Sequence, residues 1–285
     1  VEALARHHRP TIHITGRTSI PSGDEPWLQL DEPGLDAFRA DFFLAERRRD
    51  TSVDMAELRR RWDQVKRQHE LFHNLRRLEA LGARVHYHVC DVTDRAAIDA
   101  LAATIMRHHG RIDAVLHGAM IERSKRIPQK TPELVRRTVA TKVVAARHLM
   151  RVSAGAGLKL FVNFGSGAAR FGNHGQCDYA AAGDLLTKLT AVFNRHLCPD
   201  ARCVTIDWPA WKSAGWVARN PDIERMMRQN PAATFIELDE GVRWLFGEMV
   251  YGDREEIVVA SQTMVDALSA GLASGPAMLA ADSAE

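Results

Sequence analysis

The sequence predicts an α/β fold, a doubly wound parallel sheet with helices on both faces. Three observations predict it. From Gly82 onward, short apolar runs alternate with helical segments of about ten residues or more, and such connections are the right-handed crossovers of a parallel sheet. Runs such as Leu160 to Phe164 (LFVNF) carry apolar residues on both faces, as strands covered on both sides do. Several of these runs stop at a glycine, among them Gly16, Gly118 and Gly165, where a strand hands over to a loop.

The elements follow in order. Val1 to His8 has helical spacing and stops before Pro10, and Thr11 to Thr15 (TIHIT) is a β-rich run closed by Gly16-Arg17. Ser22 to Pro33 is rich in proline, glycine and acids and reads as a surface loop. From about Asp36 to Leu81 the chain reads as charged helix, and the region 22–81 has the character of a helical insertion. Val85 to Cys90 is a strand leading into Asp91-Val92-Thr93-Asp94, followed by a helix from Arg95 to His108 and a strand from Ala114 to His117. Thr131 caps a long helix to Ser153, with Pro132 at its first position. Leu160 to Phe164 is the next strand. The alanine-rich helix opened by Tyr179 follows, then a strand from Arg202 to Asp207, a helix from Asp239 to Met249 and a strand from Glu256 to Ala260. Residues 1–260 are expected to form one domain, and the Ala-, Ser- and Gly-rich stretch 261–285 a linker or tail.

Composition narrows the function. The 285 residues carry a formal charge of +2, so bulk charge gives no support for nucleic-acid binding. Arg47-Arg48-Arg49 and Arg59-Arg60-Arg61 read as solvated helix faces interleaved with acids. Cys90, Cys177, Cys198 and Cys203 form no Cys-x-x-Cys pair and are expected to be reduced, mostly buried thiols of a cytoplasmic protein. No apolar run approaches the roughly 18 residues of a membrane helix, and no metal-ligand spacing occurs among the histidines. Met226 and Met227 lie on an expected short helix, either as ordinary packing or as a flexible lid over an acyl chain.

In a doubly wound sheet, ligands lie beyond the carboxyl ends of the strands. One such end carries Ser166, and thirteen positions later Tyr179 opens the next helix; a hydroxyl facing a tyrosine there suits the polarisation of a carbonyl group. Gly16-Arg17 places a guanidinium where a dinucleotide's adenosine ribose would lie, which favours a 2′-phosphate and hence NADPH over NADH. Asp91 and Val92 are placed to contact an adenine, although Asp91 serves equally as a turn or capping residue, and Gly118-Ala119 allows backbone to approach a ligand closely. Gly165-Ser166-Gly167 half resembles a dinucleotide fingerprint, but Arg170 replaces the third glycine and the position is mid-domain.

These residues, in this order, resemble the ketoreductase domain of type I polyketide and polyunsaturated fatty acid synthases, in the short-chain dehydrogenase/reductase superfamily. The resemblance runs from Val1 to Ala260 through Gly16-Arg17, Asp91-Val92-Thr93-Asp94, His117-Gly118-Ala119, Phe164-Gly165-Ser166, Gly175-Gln176, Tyr179 to Ala182 and Asp207-Trp208-Pro209-Ala210-Trp211. It implies a Rossmann-like fold and the NADPH-dependent reduction of a β-ketoacyl chain. That chain would be held on the phosphopantetheine of an acyl carrier protein, among other synthase domains. It implies Tyr179 as general acid, Ser166 as hydrogen-bond donor to the ketone, and Lys142, in Ala-Thr-Lys-Val, as the lysine that lowers the tyrosine pKa and contacts the cofactor ribose. Gly16, Arg17, Asp91, Val92, Gly118 and Ala119 are the expected cofactor contacts.

The chain departs from the family pattern in three places. Gly183 stands four residues after Tyr179, where an amide is usual, with room for a water in its place. Met120 stands where a glycine is usual. The first strand and its glycine-rich phosphate loop are expected upstream of Val1. Two readings therefore stand beside each other, an enzyme and a catalytically silent, ketoreductase-like structural domain of a megasynthase, with a free-standing reductase of small ketones as a third. The stretch Glu122-Arg123-Ser124 lacks the paired acids that mark one stereochemical class, and no tryptophan ahead of Tyr179 marks the other.

Overall fold

Parallel strands carry the architecture, as expected. The computed structural model describes residues 1–212, 215–218, 224–225, 235–260, 262, 265–266 and 269. Met226 and Met227 lie outside the described residues, as does most of the tail 261–285. The chain divides into two units, Val1–Asp91 and Val92–Glu285, each with its own core.

In the first unit, helix α1 (Glu2–His8) leads into β1 (Thr11–Gly16), which pairs in parallel with β2 (Arg84–Val89). Between them run α2 (Glu32–Arg49) and α3 (Met55–Ala80). The expected single helical stretch is broken here for a local reason. Asp50 accepts from both the N–H and the hydroxyl of Ser52, and Asp54 then caps α3 by accepting the Glu57 N–H at 2.7 Å. The helices bury Trp27, Leu28, Leu35, Trp62 and Val65 against each other, and Arg61 reaches from α3 to Glu46 on α2 at 2.6 Å. A second small core joins Ala5, Leu78 and Ala83 to β1 and β2.

In the second unit, α4 (Arg95–His109), capped by Asp94, precedes β3 (Ala114–His117). The expected Thr131 to Ser153 helix is α5 (Pro132–Val139), a π-helical turn (Ala140–Val144) and α6 (Ala145–Ser153). After β4 (Leu160–Phe164) come the short α7 (Gly167–Phe171) and α8 (Cys177–Leu197), then β5 (Arg202–Asp207). Further on lie β6 (Ala210–Trp211), α9 (Gly215–Ala218), β7 (Phe235–Ile236), α10 (Leu238–Tyr251) and β8 (Glu256–Val258). The sheet order is β3-β4-β5-β8, all parallel, with Phe164 opposite Ile206 in register. The strand pair β6–β7 has no counterpart in the sequence reading; two-residue strands leave no periodicity to read. Cores on Phe161, Phe193 and Cys203 and on Val162, Val204 and Ile206 explain the apolar character of β4 and β5. All four cysteines are free thiols; Cys177 is exposed and the other three are buried.

Candidate active site

The second unit brings Ser166, Tyr179 and Lys142 together. Tyr179 sits in the first turn of α8 and is buried. Lys142 is only 1% exposed. Its Nζ donates to Tyr179 Oη at 3.2 Å and lies 4.2 Å from the centre of the tyrosine ring. The π-turn explains this placement: one extra residue in the turn changes which face each side chain takes and releases a carbonyl from the helix ladder. Within the turn, the Lys142 carbonyl pairs with His117 Nε2 at 3.0 Å. Burial pushes His117 down to about 4, so the ring is neutral near pH 7 and its Nε2–H is the donor.

The Ser166 hydroxyl is near enough to the Tyr179 phenol to act on its proton affinity, and it caps α7, accepting from the Ala168 N–H at 3.3 Å. The serine backbone is held from below, since its N–H donates to Asp207 Oδ1 at 2.8 Å. Asp207, at the end of β5, is fully buried. The sequence reading included it in a motif but gave it no role; a strand-terminal aspartate looks like a turn residue.

Burial dominates the electrostatics. It pushes the Tyr179 phenol up to about 12, with the Ser166 hydroxyl acting the other way and the carboxylates of Glu122 and Asp207 adding to the rise. In this resting site burial therefore outweighs the lowering expected from Lys142. Burial also pulls Lys142 down to about 8, opposed by Asp207. Near pH 7 the pair rests as ammonium and neutral phenol, a tyrosine holding the proton it would donate.

Two departures from the family pattern acquire a structural reason. A Cβ on Gly183 would lie 2.5 Å from the Cβ of Ala169 on α7, so α7 fills the space an amide side chain would need, and a water is not required there. Met120 is 38% exposed, and its Sδ accepts weakly from Tyr179 Oη at 3.7 Å. The loop after β3 is tied to the entry of α8 by hydrogen bonds that sequence reasoning missed. Glu122 accepts from Ser124 Oγ at 2.7 Å, and Gln176 donates to the same Oγ at 3.2 Å.

The expected cofactor residues fall in both units. In the first, Gly16 ends β1 and Arg17 follows it, 3.9 Å from Asp91, just beyond β2. Gly16 has a packing reason of its own, because a Cβ there would strike the Tyr87 hydroxyl, which is held by the Thr18 carbonyl at 2.7 Å. In the second unit, the Val92 carbonyl pairs with His148 at 3.4 Å. A Cβ on Gly118 would meet only Phe164, at 3.9 Å, so no protein atom crowds the backbone there and the residues present fit a ligand lying close against them. Among the described residues, no three His, Cys, Asp or Glu side chains are grouped to hold a metal, and no helix is long and apolar enough to cross a membrane.

A parallel α/β sheet whose strand ends converge on a serine, a tyrosine and a lysine defines an oxidoreductase of the short-chain dehydrogenase/reductase class. The family model described as KR domain matches residues 40–213, well over half of the chain. The chain belongs to that family, the ketoreductase domains of polyketide synthases. It is 28% identical over 190 residues to polyketide synthase PksL of Bacillus subtilis (strain 168), covering 66% of this chain and 4% of that protein. It is 35% identical over 154 residues to polyketide synthase GfsA of Streptomyces halstedii, covering 53% of this chain and 2% of that protein. The chain thus spans a small part of the length of these relatives. The fold matches a ketoreductase domain from the bacillaene assembly line with a TM-score of 0.68 at 24% identity, over 94% of this chain and 54% of that one. An A1-type ketoreductase matches with a TM-score of 0.61 at 27% identity, over 71% and 42%.

Proposed function

We propose that this chain reduces a β-ketoacyl thioester to the β-hydroxyacyl form with NADPH, the acyl chain being carried on the phosphopantetheine of an acyl carrier protein within a polyketide or fatty acid synthase. The observation that carries the reading is the buried hydrogen bond of Lys142 Nζ to Tyr179 Oη at 3.2 Å. The bound nicotinamide supplies a hydride to the ketone carbon. The protein's part is a proton and a dry pocket of fixed charge. The Ser166 hydroxyl turns to donate to the ketone oxygen, Tyr179 Oη gives up its proton to that oxygen, and the adjacent Lys142 ammonium stabilises the tyrosinate left behind.

Within the first unit, Gly16, Arg17 and Asp91 are the residues assigned to the cofactor in this reading. Arg17, with its side chain 65% exposed, is free to turn toward a 2′-phosphate. Within the second unit, Val92, Gly118 and Ala119 are assigned to the cofactor, Gly118 for the open space over its backbone. The silent-scaffold reading draws on Met120, whose sulfur occupies the phenol's hydrogen-bonding direction.

The test is Tyr179→Phe, assayed with NADPH and a β-ketoacyl thioester. Loss of about a thousandfold or more in turnover with cofactor binding retained is expected, a larger effect than the usual range for one general acid because the same hydroxyl also binds the ketone. Unchanged turnover overturns the catalytic assignment. A wild-type chain that binds NADPH yet reduces nothing supports the scaffold.

A further inference from the structure

His117 is a buried residue of the sheet to which the mechanism above gives no part. It ends β3 after Val115 and Leu116, is 3% exposed and stands in register opposite Asn163 of β4. Burying an imidazole there is costly unless its polar atoms are paired. The partner of Nε2 is the Lys142 carbonyl, 3.0 Å away in the π-helical turn between α5 and α6. A carbonyl only accepts, so the ring carries its proton on Nε2 and donates it from the strand to the helix.

What the ring grips is the turn that aims the lysine. The Ala145 N–H closes that turn on the Ala140 carbonyl, so it holds one residue more than an α-helical turn would. Such turns are rare and recur at functional sites, because ordinary α-helical winding competes with them. Relaxation of this one would carry Lys142 round the helix axis. The lysine has little room for that. Its Nζ donates to Tyr179 Oη at 3.2 Å, and its Cε would stand 3.8 Å from a Cβ on Gly183, so the stem runs close beside α8. The tip of the residue thus meets the tyrosine while its backbone is tied to β3. Resting on the ketoreductase reading of this site, we propose that His117 is a positioning residue: by donating its Nε2–H to the Lys142 carbonyl it anchors the π-turn to β3 and so holds the Lys142 ammonium on the Tyr179 phenol.

The test follows the seven lysines of the full chain by NMR of their labelled ε-carbons and attached protons, the Lys142 signal being the one lost in Lys142→Met. Lys142 Nζ lies 4.2 Å from the centre of the Tyr179 ring, so the ring current moves that signal away from those of the other lysines. His117→Leu fills the space without a donor. Its Lys142 signal is expected to fall back among the others, and kcat on a β-ketoacyl thioester to drop by about a hundredfold with KM for the thioester unchanged. His117→Gln supplies an amide N–H to the same carbonyl, and is expected to return the signal and about tenfold or more of kcat. A purely structural role lowers the melting temperature of His117→Leu and leaves the Lys142 signal and kcat in place, which overturns the proposal, as does a glutamine variant no better than leucine in both readouts. If His117→Leu does not fold, the wild type decides: the 15N shifts of the His117 ring, assigned through its own backbone, show the proton on Nε2, and a proton on Nδ1 alone is the overturning result. A wild type inactive on the thioester would remove the ketoreductase reading, yet the Lys142 signal in the two variants would still decide the role of His117.

Discussion

Gly183 shows how a single missing Cβ reorganises a site. The helix α8 would ordinarily favour almost any residue over glycine, by about 1 kcal/mol for alanine. Here alanine would press its Cβ to 2.5 Å from that of Ala169, with Lys142 Cε at 3.8 Å. Gly183→Ala is therefore expected to lose about 1–3 kcal/mol in spite of the helix propensity gained, and Ala169→Gly in the same chain to restore part of it, both read from urea unfolding. Arg17 carries a different residue-scale expectation. Arg17→Ala should weaken NADPH by about tenfold or more while NADH changes little, and equal losses in a fluorescence titration would remove the 2′-phosphate role. Ser166 and Tyr179 were legible because a strand end and a helix start are visible in the sequence. The burial of Lys142 was not, since helical periodicity cannot show a π-turn that rotates the lysine inward. Asp207 was invisible for a similar reason: it accepts the Ser166 N–H from the neighbouring strand's end, a partner its own neighbours in the chain do not reveal.

At the scale of elements, the rim of the site is a loop fastened to a helix start. The Lys125 N–H donates to Gly175 O at 3.0 Å, and Lys130 pairs with Asp178 at 2.6 Å with both side chains under 5% exposed. Lys130 Nζ also donates to the Arg123 carbonyl at 3.0 Å, so one ammonium holds both ends of the loop against the turn that presents Tyr179. Removing one partner strands a buried charge. Lys130→Met should cost about 3–5 kcal/mol, whereas Lys130→Met with Asp178→Leu should recover most of it, because an apolar pair leaves no charge uncompensated. Thermal melts of the three chains decide this; an additive double variant would contradict the pairing. Elements with strong patterns, such as β4, β5 and α4, were legible almost to the residue. The break between α2 and α3 was not, because it depends on Asp50 and Asp54 bonding their own backbones, which a charged helical composition conceals.

For the whole molecule, the alternation of strands and helices announced the parallel α/β architecture, but not the three hydrogen-bonded sheets among the described residues or the two units, since periodicity does not specify which strands pair. The second unit's stability should carry the signature of a charge kept in a dry place. Burial raises Asp207 from 3.8 to about 6, so the folded chain binds its proton more tightly than the unfolded one. That preference stabilises fully below pH 3.8 and is lost as pH rises through about 6, the opposite of a salt-bridged aspartate. His117, lowered from 6.5 to about 4, pulls the other way, its contribution rising with pH across that window. The two nearly mask each other in the wild type. Asp207→Asn removes only the first, so between pH 4 and 7 the variant should gain stability relative to the wild type by on the order of 3 kcal/mol, from a shift of about two pH units at about 1.4 kcal/mol each. Urea unfolding of both chains across that range measures the difference directly. A flat difference would place the carboxylate in a wetter setting than its burial indicates. A rising one would show that the fold keeps a destabilising charge buried at the end of β5.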